Sequence, residues 1–344
     1  MKAILTVIVL ISACLAASAA VASSSPDPLF QDEETLKVTI TGPLYTLVKK
    51  RPRDEYLAGV FSFTDTDGTA VDLDAGLRAR GHFRHKNCDF PPVGLNFKKS
   101  QTAGTLFDKQ NKMKLVVHCD DSARYQQTVL REYLAYKLLN SLTDQSFKAR
   151  LLQVTWVDTE DRRDRMVRYA FLIEHKDRLA KRLDRKVLET DRARLSAIQG
   201  DQLNLTSVFQ FLLGNTDFSP LAGANNECCH NYVLFDNKVD PLLAIPYDFD
   251  QSGFVNAPYA EPNERLGIKS VRQRVYRGRC ANNKYIPGSI SRFQEGRDAI
   301  FALIAGQEGM DSSVRKSLAR YVEDFYKIID TPRNTERKIA DKCL

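Results

Sequence analysis

The chain has 344 residues, with 50 Lys or Arg against 43 Asp or Glu, so its formal net charge is +7. The basic residues are spread along the chain and form no concentrated, aromatic-rich segment, which argues against a nucleic-acid-binding protein. A chain of this length can bury a large core, and we expect one two-lobed unit or two domains.

The first residues have the three parts of a secretory signal peptide. Lys2 gives a positive start, residues 3–17 are almost wholly apolar, and the triplets Ala17-Ser18-Ala19 and Ala20-Val21-Ala22 both fit an A-x-A cleavage site. We therefore predict a signal peptide over residues 1–22 and an exported protein, periplasmic or secreted, with no membrane span in the mature chain. Two other interpretations stay open: an uncleaved membrane anchor, and lipidation at Cys14, which ends a segment resembling a bacterial lipobox.

Apolar and polar residues alternate in the first part of the mature chain, which predicts β-strands. These strands are expected at residues 36–41, 57–63, 70–83, 93–97 and 112–118. Asp67-Gly68 is a strong hairpin signal between the second and the third strand.

A helical stripe of apolar residues follows over residues 126–142, and the pattern then changes again. Further strands are expected at 151–157 and 168–174, helices at 176–183, 202–213 and 312–329, and a short strand pair at 231–235 and 242–247. This order predicts an α+β chain with a β-rich N-terminal lobe over residues 23–175. A mainly helical C-terminal lobe would occupy residues 176–344.

An even number of cysteines remains after Cys14, which favours disulfide bonds in an exported chain. They are Cys88, Cys119, Cys228, Cys229, Cys280 and Cys343. We expect Cys88 to pair with Cys119, because each follows a predicted strand in the same half, and Cys228 and Cys229 to pair with the last two in either order. Zinc is the alternative, because histidines stand near cysteines at His82, His85 and Cys88, at His118-Cys119 and at Cys229-His230.

Four polar side chains stand at the ends of predicted elements in the second half. Asp217 lies in a loop after a helix, Asn231 opens a short strand, Asp248 ends the next apolar strand, and Asp250 follows two residues later. A hairpin can bring such residues into one small space. Phosphoryl transfer needs a carboxylate that orients the attacking hydroxyl, together with an Asn and an Asp that hold magnesium against the phosphates.

The segments at 214–219, 230–235 and 245–253 together resemble the catalytic segment of the spore-coat protein H (CotH) kinase family, an atypical branch of the protein-kinase-like fold. Upstream, Leu77-Arg78-Ala79-Arg80-Gly81 resembles the Arg-Gly segment of that family near the nucleotide. Lys114-Leu115 with residues 130–135 resembles its strand-to-helix passage. Residues 169–174 resemble its hinge strand, whose backbone would meet the adenine.

The resemblance implies a two-lobed protein-kinase-like architecture and an enzyme that uses ATP with magnesium or manganese. Its acceptor would be a protein or a cell-envelope molecule. Asp217 would be the catalytic aspartate. Asn231 and Asp248 would hold the metal, and Asp250 would assist the metal or the substrate. The nucleotide would be bound by Lys98 or Lys114, by Glu132, which would orient that lysine, and by the segment that ends at Glu174.

The chain departs from the family pattern in three respects. It has Arg131-Glu132 where the family's helix usually carries Arg-Asn. Thirteen residues separate Asp217 from Asn231, where a typical kinase loop has about four, so Asn225 or Asn226 is an alternative to Asn231. No clean Gly-rich phosphate loop is present. Two other functions therefore stay open: a non-catalytic kinase-like binding or scaffold module, and a metal-dependent hydrolase built on Asp217, Asp248 and Asp250.

One more cluster is conspicuous between residues 270 and 280. It contains Arg272, Arg274, Arg277 and Arg279. Arginines in such density suit the recognition of phosphate or another anion. They also suit a solvated face near a disulfide, which we slightly favour.

Overall fold

The computed structural model of the chain describes residues 24–223 and 228–344. The predicted signal peptide, Cys14, and the alternative residues Asn225 and Asn226 lie outside these ranges. None of the helices within them combines the length and the apolar character that crossing a bilayer would require.

Seven strands close into a barrel in the order β1-β2-β3-β4-β5-β7-β6. They are β1 (Leu36–Gly42), β2 (Leu57–Thr64), β3 (Ala70–Ala79), β4 (Val93–Phe97), β5 (Lys112–Val116), β6 (Ala149–Asp158) and β7 (Met166–Ile173). Neighbouring strands are antiparallel except for β1 and β6, whose parallel pairing closes the barrel with Val38 opposite Val154.

The barrel interior is filled by the alternate apolar residues that predicted the strands. Phe61, Leu77 and Trp156 are fully buried there. The rings of Phe61 and Phe97 pack edge to face with centroids 5.4 Å apart. Because successive side chains of a strand point to opposite faces, residues between these positions lie on the outer surface of the barrel.

The β2–β3 hairpin is confirmed. Gly68 has a φ of +87° in the turn, a conformation that costs glycine little. The Gly68 amide donates to the Asp65 carbonyl at 3.0 Å, and the Asp65 amide donates to Thr69. The Asp-Gly signal therefore identified both the turn and the strands it joins.

Helices pack against β3, β6 and β7 of the barrel, and more of them lie after residue 175 than before it. They are α1 (Leu44–Lys50), α2 (Phe83–Asn87), α3 (Lys99–Thr102), α4 (Ala123–Leu142), α5 (Lys176–Arg182), α6 (Gly200–Leu213), α7 (Ile286–Glu295), α8 (Arg297–Gly306), α9 (Ser312–Ile329) and α10 (Pro332–Lys338). A separate sheet has the order β10-β9-β8 and consists of β8 (Lys186–Leu188), β9 (Tyr232–Asp236) and β10 (Leu243–Pro246).

The predicted fold class, an α+β chain of two-lobed protein-kinase-like architecture, is wrong. The β-rich part is a closed mixed barrel, because β1 pairs with β6 as well as with β2. Apolar alternation predicts a strand but does not identify the strand it pairs with, so this closure could not be predicted from local patterns. Packing also crosses residue 175, since Leu151 and Phe171 on the barrel share one core with α4 and α9.

One strand boundary differs from its prediction for a local reason. We expected the third strand to continue to residue 83, but β3 ends at Ala79. Gly81 then takes a φ of +82°, which turns the chain into the short helix α2. This early end places Arg80 at the mouth of the barrel instead of within a strand.

The expected disulfide between Cys88 and Cys119 is confirmed. The other expected pairings are wrong, because Cys228 is bonded to its neighbour Cys229, and Cys280 is bonded to Cys343. Within the described ranges, no group of three or more His, Cys, Asp or Glu residues is placed to hold a metal ion.

Candidate active site

The small sheet brings Asn231 and Asp248 to the same end of two paired strands. β9 and β10 are antiparallel with Tyr232 opposite Pro246, so the residue before β9 lies beside the residues after β10. The Tyr247 amide donates to the Asn231 carbonyl at 3.1 Å. Asn231 and Asp248 have φ values of +53° and +62°, a left-handed conformation that Asn and Asp tolerate better than most residues.

Asp217 is presented by the turn that ends α6. Gly214 ends this helix with a φ of +61°, and a Cβ there would lie 2.2 Å from the Tyr321 hydroxyl oxygen, so only glycine fits. The Asn215 side chain then accepts a hydrogen bond from the Asp217 amide at 2.9 Å. The Asn215-Thr216-Asp217 segment is therefore a hydrogen-bonded turn, from which the Asp217 side chain points outward.

The carboxylate of Asp217 is held at both oxygens by two consecutive residues. His230 Nε2 lies 2.7 Å from Oδ1, and the Asn231 side-chain amide donates to Oδ2 at 3.1 Å and to the Asp217 carbonyl at 2.7 Å. This hydrogen bond to Asp217 raises the pKa of His230. Although 13 residues separate Asp217 from Asn231, the end of this segment therefore contacts the Asp217 carboxylate again.

Two cations face this end of the small sheet from the barrel. Met113 and Leu115 of β5 point into the barrel, so Lys114 between them points outward, with Nζ 4.7 Å from the centroid of the Tyr247 ring. Lys114 keeps contact with solvent in a crowded cleft, and the loss of hydration together with the charge of Arg80 lowers its pKa to about 8. The Arg80 Nε is buried without a hydrogen-bond partner among the described residues.

A pair of buried carboxylates lies behind these groups. Glu132 of α4 lies 3.7 Å from Arg84, and Asp250 accepts a hydrogen bond of 3.1 Å from the Tyr259 hydroxyl. Burial, and then the charge of Asp248, raise the pKa of Asp250 to about 7. Burial and the nearby Asp250 also raise the pKa of Glu132. Glu132 and Asp250 are therefore buried near the same cation, the Arg84 guanidinium, and are shielded from solvent.

A cavity of about 630 Å³ opens beside Lys114. Its walls combine the end of β7, the segment after it, the small sheet and the Cys228–Cys229 disulfide. The lining includes Ile173, His175, Val187, Leu234 and Tyr247. Among the predicted site residues, Lys114 and Glu174 line this cavity, whereas two larger cavities, of about 920 and 1290 Å³, contain none of them.

The structure brings together only part of the predicted site. Asn231 is hydrogen-bonded to Asp217, and Asp248 is near enough to Lys114 to favour its charged form, while Glu132 and Asp250 are buried. Glu132 is paired with Arg84, where we expected it to orient a lysine.

Glu174 and Lys98 have other partners. The buried Glu174 side chain forms an ion pair of 3.0 Å with Arg182, although this residue also lines the cavity. Lys98 is exposed and pairs with Asp74 at 2.8 Å. The Arg80 amide donates a hydrogen bond to the Pro92 carbonyl. The six residues from Pro92 to Lys98 span about 20 Å of extended chain. Lys98 is therefore remote from the cleft.

Sequence reasoning did not commit to Arg80, Arg84, His230 or Tyr259. Arg80 was visible as part of the Arg-Gly segment, and His230 as the neighbour of Asn231. Arg84 and Tyr259 gave no local signal, because each reaches the buried carboxylates from an irregular or short element.

The polar groups at the cleft fit a hard cation. The Asn231 amide nitrogen is turned to Asp217, which leaves its oxygen on the other side, and the exposed Asp248 supplies carboxylate oxygens. Magnesium commonly binds one or two carboxylates and takes its remaining ligands from water and phosphates. Two oxygen-bearing side chains therefore suffice for a metal that arrives with a nucleotide.

No protein-family model matches the sequence, and no curated protein matches it either.

Proposed function

We propose that this protein is an exported phosphotransferase, which transfers the terminal phosphoryl group of a magnesium–nucleotide to a hydroxyl group of a protein or cell-envelope acceptor. The observation that carries this proposal is the pair of cations, Lys114 and Arg80, that face the same cleft as Asp217 and Asp248. Neither side chain donates a hydrogen bond to an acceptor in the described residues.

Two neighbouring positive charges repel each other, which raises the free energy of the unliganded cleft. The charge of Arg80 is one of the causes that lower the pKa of Lys114, so the pair is self-repelling. Asp248 offsets part of this repulsion, because it favours the charged form of both groups. A polyphosphate would supply the remaining negative charge through charge-assisted hydrogen bonds. The arrangement therefore favours an anionic ligand with several oxygens.

The adjoining cavity suits a nucleoside. Its volume of about 630 Å³ lies within the range of small-molecule sites, roughly 300–1,000 Å³. Ile173, Val187 and Leu234 give it apolar walls for a planar base, and the segment from Glu174 to Lys176 offers backbone groups at its edge. A base in this cavity would place its phosphates toward Lys114.

The remaining residues have separable roles in the transfer. Asp217 would orient the acceptor hydroxyl and take its proton as the bond from that oxygen to phosphorus forms. The bond from phosphorus to the bridging oxygen breaks, and the nucleoside diphosphate leaves. Lys114 and Arg80 would stabilise the negative charge on the phosphate oxygens. A magnesium ion held by Asn231 and Asp248 would supply further charge neutralisation.

Two further observations support the proposal. The ordered motifs around Asp217, Asn231 and Asp248 resemble those of the CotH kinase family, which implies the same chemistry, although the kinase-like architecture implied by this resemblance is not found in the part of the chain that the structure describes. The three disulfides suit an oxidising, exported compartment, in agreement with the signal peptide predicted at residues 1–22.

The experiment compares two lysines. The purified protein is incubated with γ-labelled ATP and magnesium, and label transfer is measured to itself, to model proteins and to cell-envelope extracts. Lys114→Met should reduce the transfer rate about a hundredfold or more, because it removes a cation from the transition state. The matched control, Lys98→Met, removes the same charge far from the cleft and should retain the wild-type rate.

Asp217→Asn and Asp248→Asn extend the test to the proposed base and the proposed metal ligand. Each should lose transfer, while the content of folded protein, measured by circular dichroism, is unchanged. Wild-type transfer no greater than that of Asp248→Asn would contradict the proposed function. Equal losses in the Lys114 and Lys98 variants would contradict the proposed phosphate site.

A further inference from the structure

The arginine-rich segment at residues 270–280 packs against the part of the chain that carries Asp217. Arg274 stacks on the Tyr321 ring at 3.7 Å from its centroid and donates to the carbonyls of Leu212 and Tyr321. Arg272 also lies over this ring, at 4.4 Å. These two arginines therefore attach the segment to α9 and to the end of α6, and they are not free for a ligand.

Arg277 makes a different set of contacts. Its Nη1 donates to the Thr216 carbonyl and, at 3.2 Å, to the Phe218 carbonyl. Its guanidinium carbon lies 5.1 Å from the centroid of the Phe218 ring. The two carbonyls belong to the residues on either side of Asp217. One side chain thus fastens the backbone both before and after the proposed catalytic carboxylate.

The Asp217 turn needs such an external contact. Asn215 holds the Asp217 amide, and Asn231 holds the Asp217 carbonyl and carboxylate. The carbonyls of Thr216 and Phe218 are left for Arg277. Hydrogen bonds from a charged donor are about twice as strong as neutral ones, and a planar guanidinium loses less freedom per bond than a lysine ammonium. The side chain is therefore well suited to hold this turn in one conformation.

We propose that Arg277 is a positioning residue for phosphoryl transfer, which holds the carbonyls on both sides of Asp217 so that its carboxylate stays directed at the acceptor hydroxyl. This inference rests on the function proposed above for Asp217. The contacts themselves are independent of that function, and a structural measurement can test them alone.

The structural test is hydrogen exchange of the backbone amides in residues 215–219, measured on the full-length protein. Arg277→Met should accelerate exchange there by about tenfold or more, because the turn opens more often, while exchange in the barrel strands stays at the wild-type rate. The matched control is Arg279→Met. Arg279 lies in the same segment but donates no hydrogen bond to residues 214–219 in the described structure, and this variant should exchange as the wild type does.

The kinetic test uses labelled ATP and magnesium. Arg277→Met and Arg277→Lys should each lower kcat by about tenfold or more, since small misplacement of a catalytic group is costly. KM for ATP should be unchanged, because the hydrogen bonds of Arg277 go to the carbonyls of Thr216 and Phe218 and not to the groups proposed to bind the nucleotide. Arg279→Met should keep the wild-type kcat.

Two results would overturn the inference. One is unchanged exchange at residues 215–219 in Arg277→Met. The other is a wild-type kcat in Arg277→Lys together with a loss in Arg277→Met, since that would assign the effect to charge alone. An absence of transfer by the wild type would instead contradict the proposed function, and the exchange measurement would still decide the role of Arg277.

Discussion

His118 is a buried histidine that the fold keeps neutral. Its ring packs on Phe90 with centroids 4.8 Å apart, next to the Cys88–Cys119 disulfide. Nε2 lies 3.2 Å from a carboxylate oxygen of Asp121, which favours the charged form, but burial has the larger effect and lowers the pKa of His118. The unfolded chain therefore binds this proton at a higher pH than the folded protein does.

This difference predicts a loss of stability in mild acid. As the pH falls below about 6.5, the usual pKa of histidine, the unfolded state gains a proton that the folded state does not accept, and the free energy of unfolding decreases. In His118→Gln this part of the decrease should disappear. Urea denaturation between about pH 7.5 and 5 measures it, with the exposed His82→Gln as the control. An identical pH dependence in wild type and His118→Gln would contradict a buried neutral ring.

Single residues also show where sequence reasoning about the site succeeds. Asp217, Asn231 and Asp248 could be found because each stands at the end of a readable element. The choice between Lys98 and Lys114 could not be made, because it depends on strand pairing. Lys114 lies opposite Gly94 and Ile173 in the barrel wall, whereas Lys98 falls beyond the far end of β4.

The three disulfides join elements at very different separations along the chain. Cys88–Cys119 spans 31 residues between α2 and the end of β5, Cys280–Cys343 spans 63 from before α7 to the C-terminus, and Cys228–Cys229 joins adjacent residues. A crosslink that closes a longer loop removes more freedom from the unfolded chain.

We therefore expect unequal costs when each pair is replaced by serine. In the chain-entropy treatment, loss of either long crosslink lowers the free energy of unfolding by about 3.5 to 4.5 kcal/mol, with the larger loss for Cys280–Cys343. Loss of Cys228–Cys229 costs little by this mechanism. Urea denaturation of the three double variants measures the order. An effect at Cys228–Cys229 as large as the other two would show that chain entropy is not the dominant cause.

The elements themselves were largely readable from periodicity. All seven barrel strands and helices α4, α6 and α9 were expected close to where they occur, because each has a clear apolar face. Helices α7 and α8 were not expected. The closure of the barrel by β1 and β6 and the Cys280–Cys343 pairing were less accessible, since each joins residues distant in sequence, and local patterns carry no information about which distant segment is the partner.

Across the whole molecule, the proposed nucleotide site predicts stabilisation by ligand. Magnesium–ATP at about 100 times its Kd would stabilise the folded state by about 2.7 kcal/mol. For a folded unit of roughly 320 residues this corresponds to a rise in Tm of about 4 °C. A thermal unfolding scan measures it. Lys114→Met should lose the shift and Lys98→Met should keep it, and a wild type without any shift would contradict a nucleotide site in this cleft.

The parallel pairing of β1 with β6 has a consequence for the growing chain. β1 is the first barrel strand to be synthesised, but the strand that pairs with one of its two edges, residues 152–158 of β6, is synthesised more than 100 residues later. Until then the emerging strands form an incomplete sheet whose unpaired backbone groups can bind another chain. The arrival of β6 pairs the open edge of β1, and β7 then closes the barrel by pairing with both β5 and β6. Premature termination before β7 should therefore leave a product with unpaired strand edges, which is prone to aggregation.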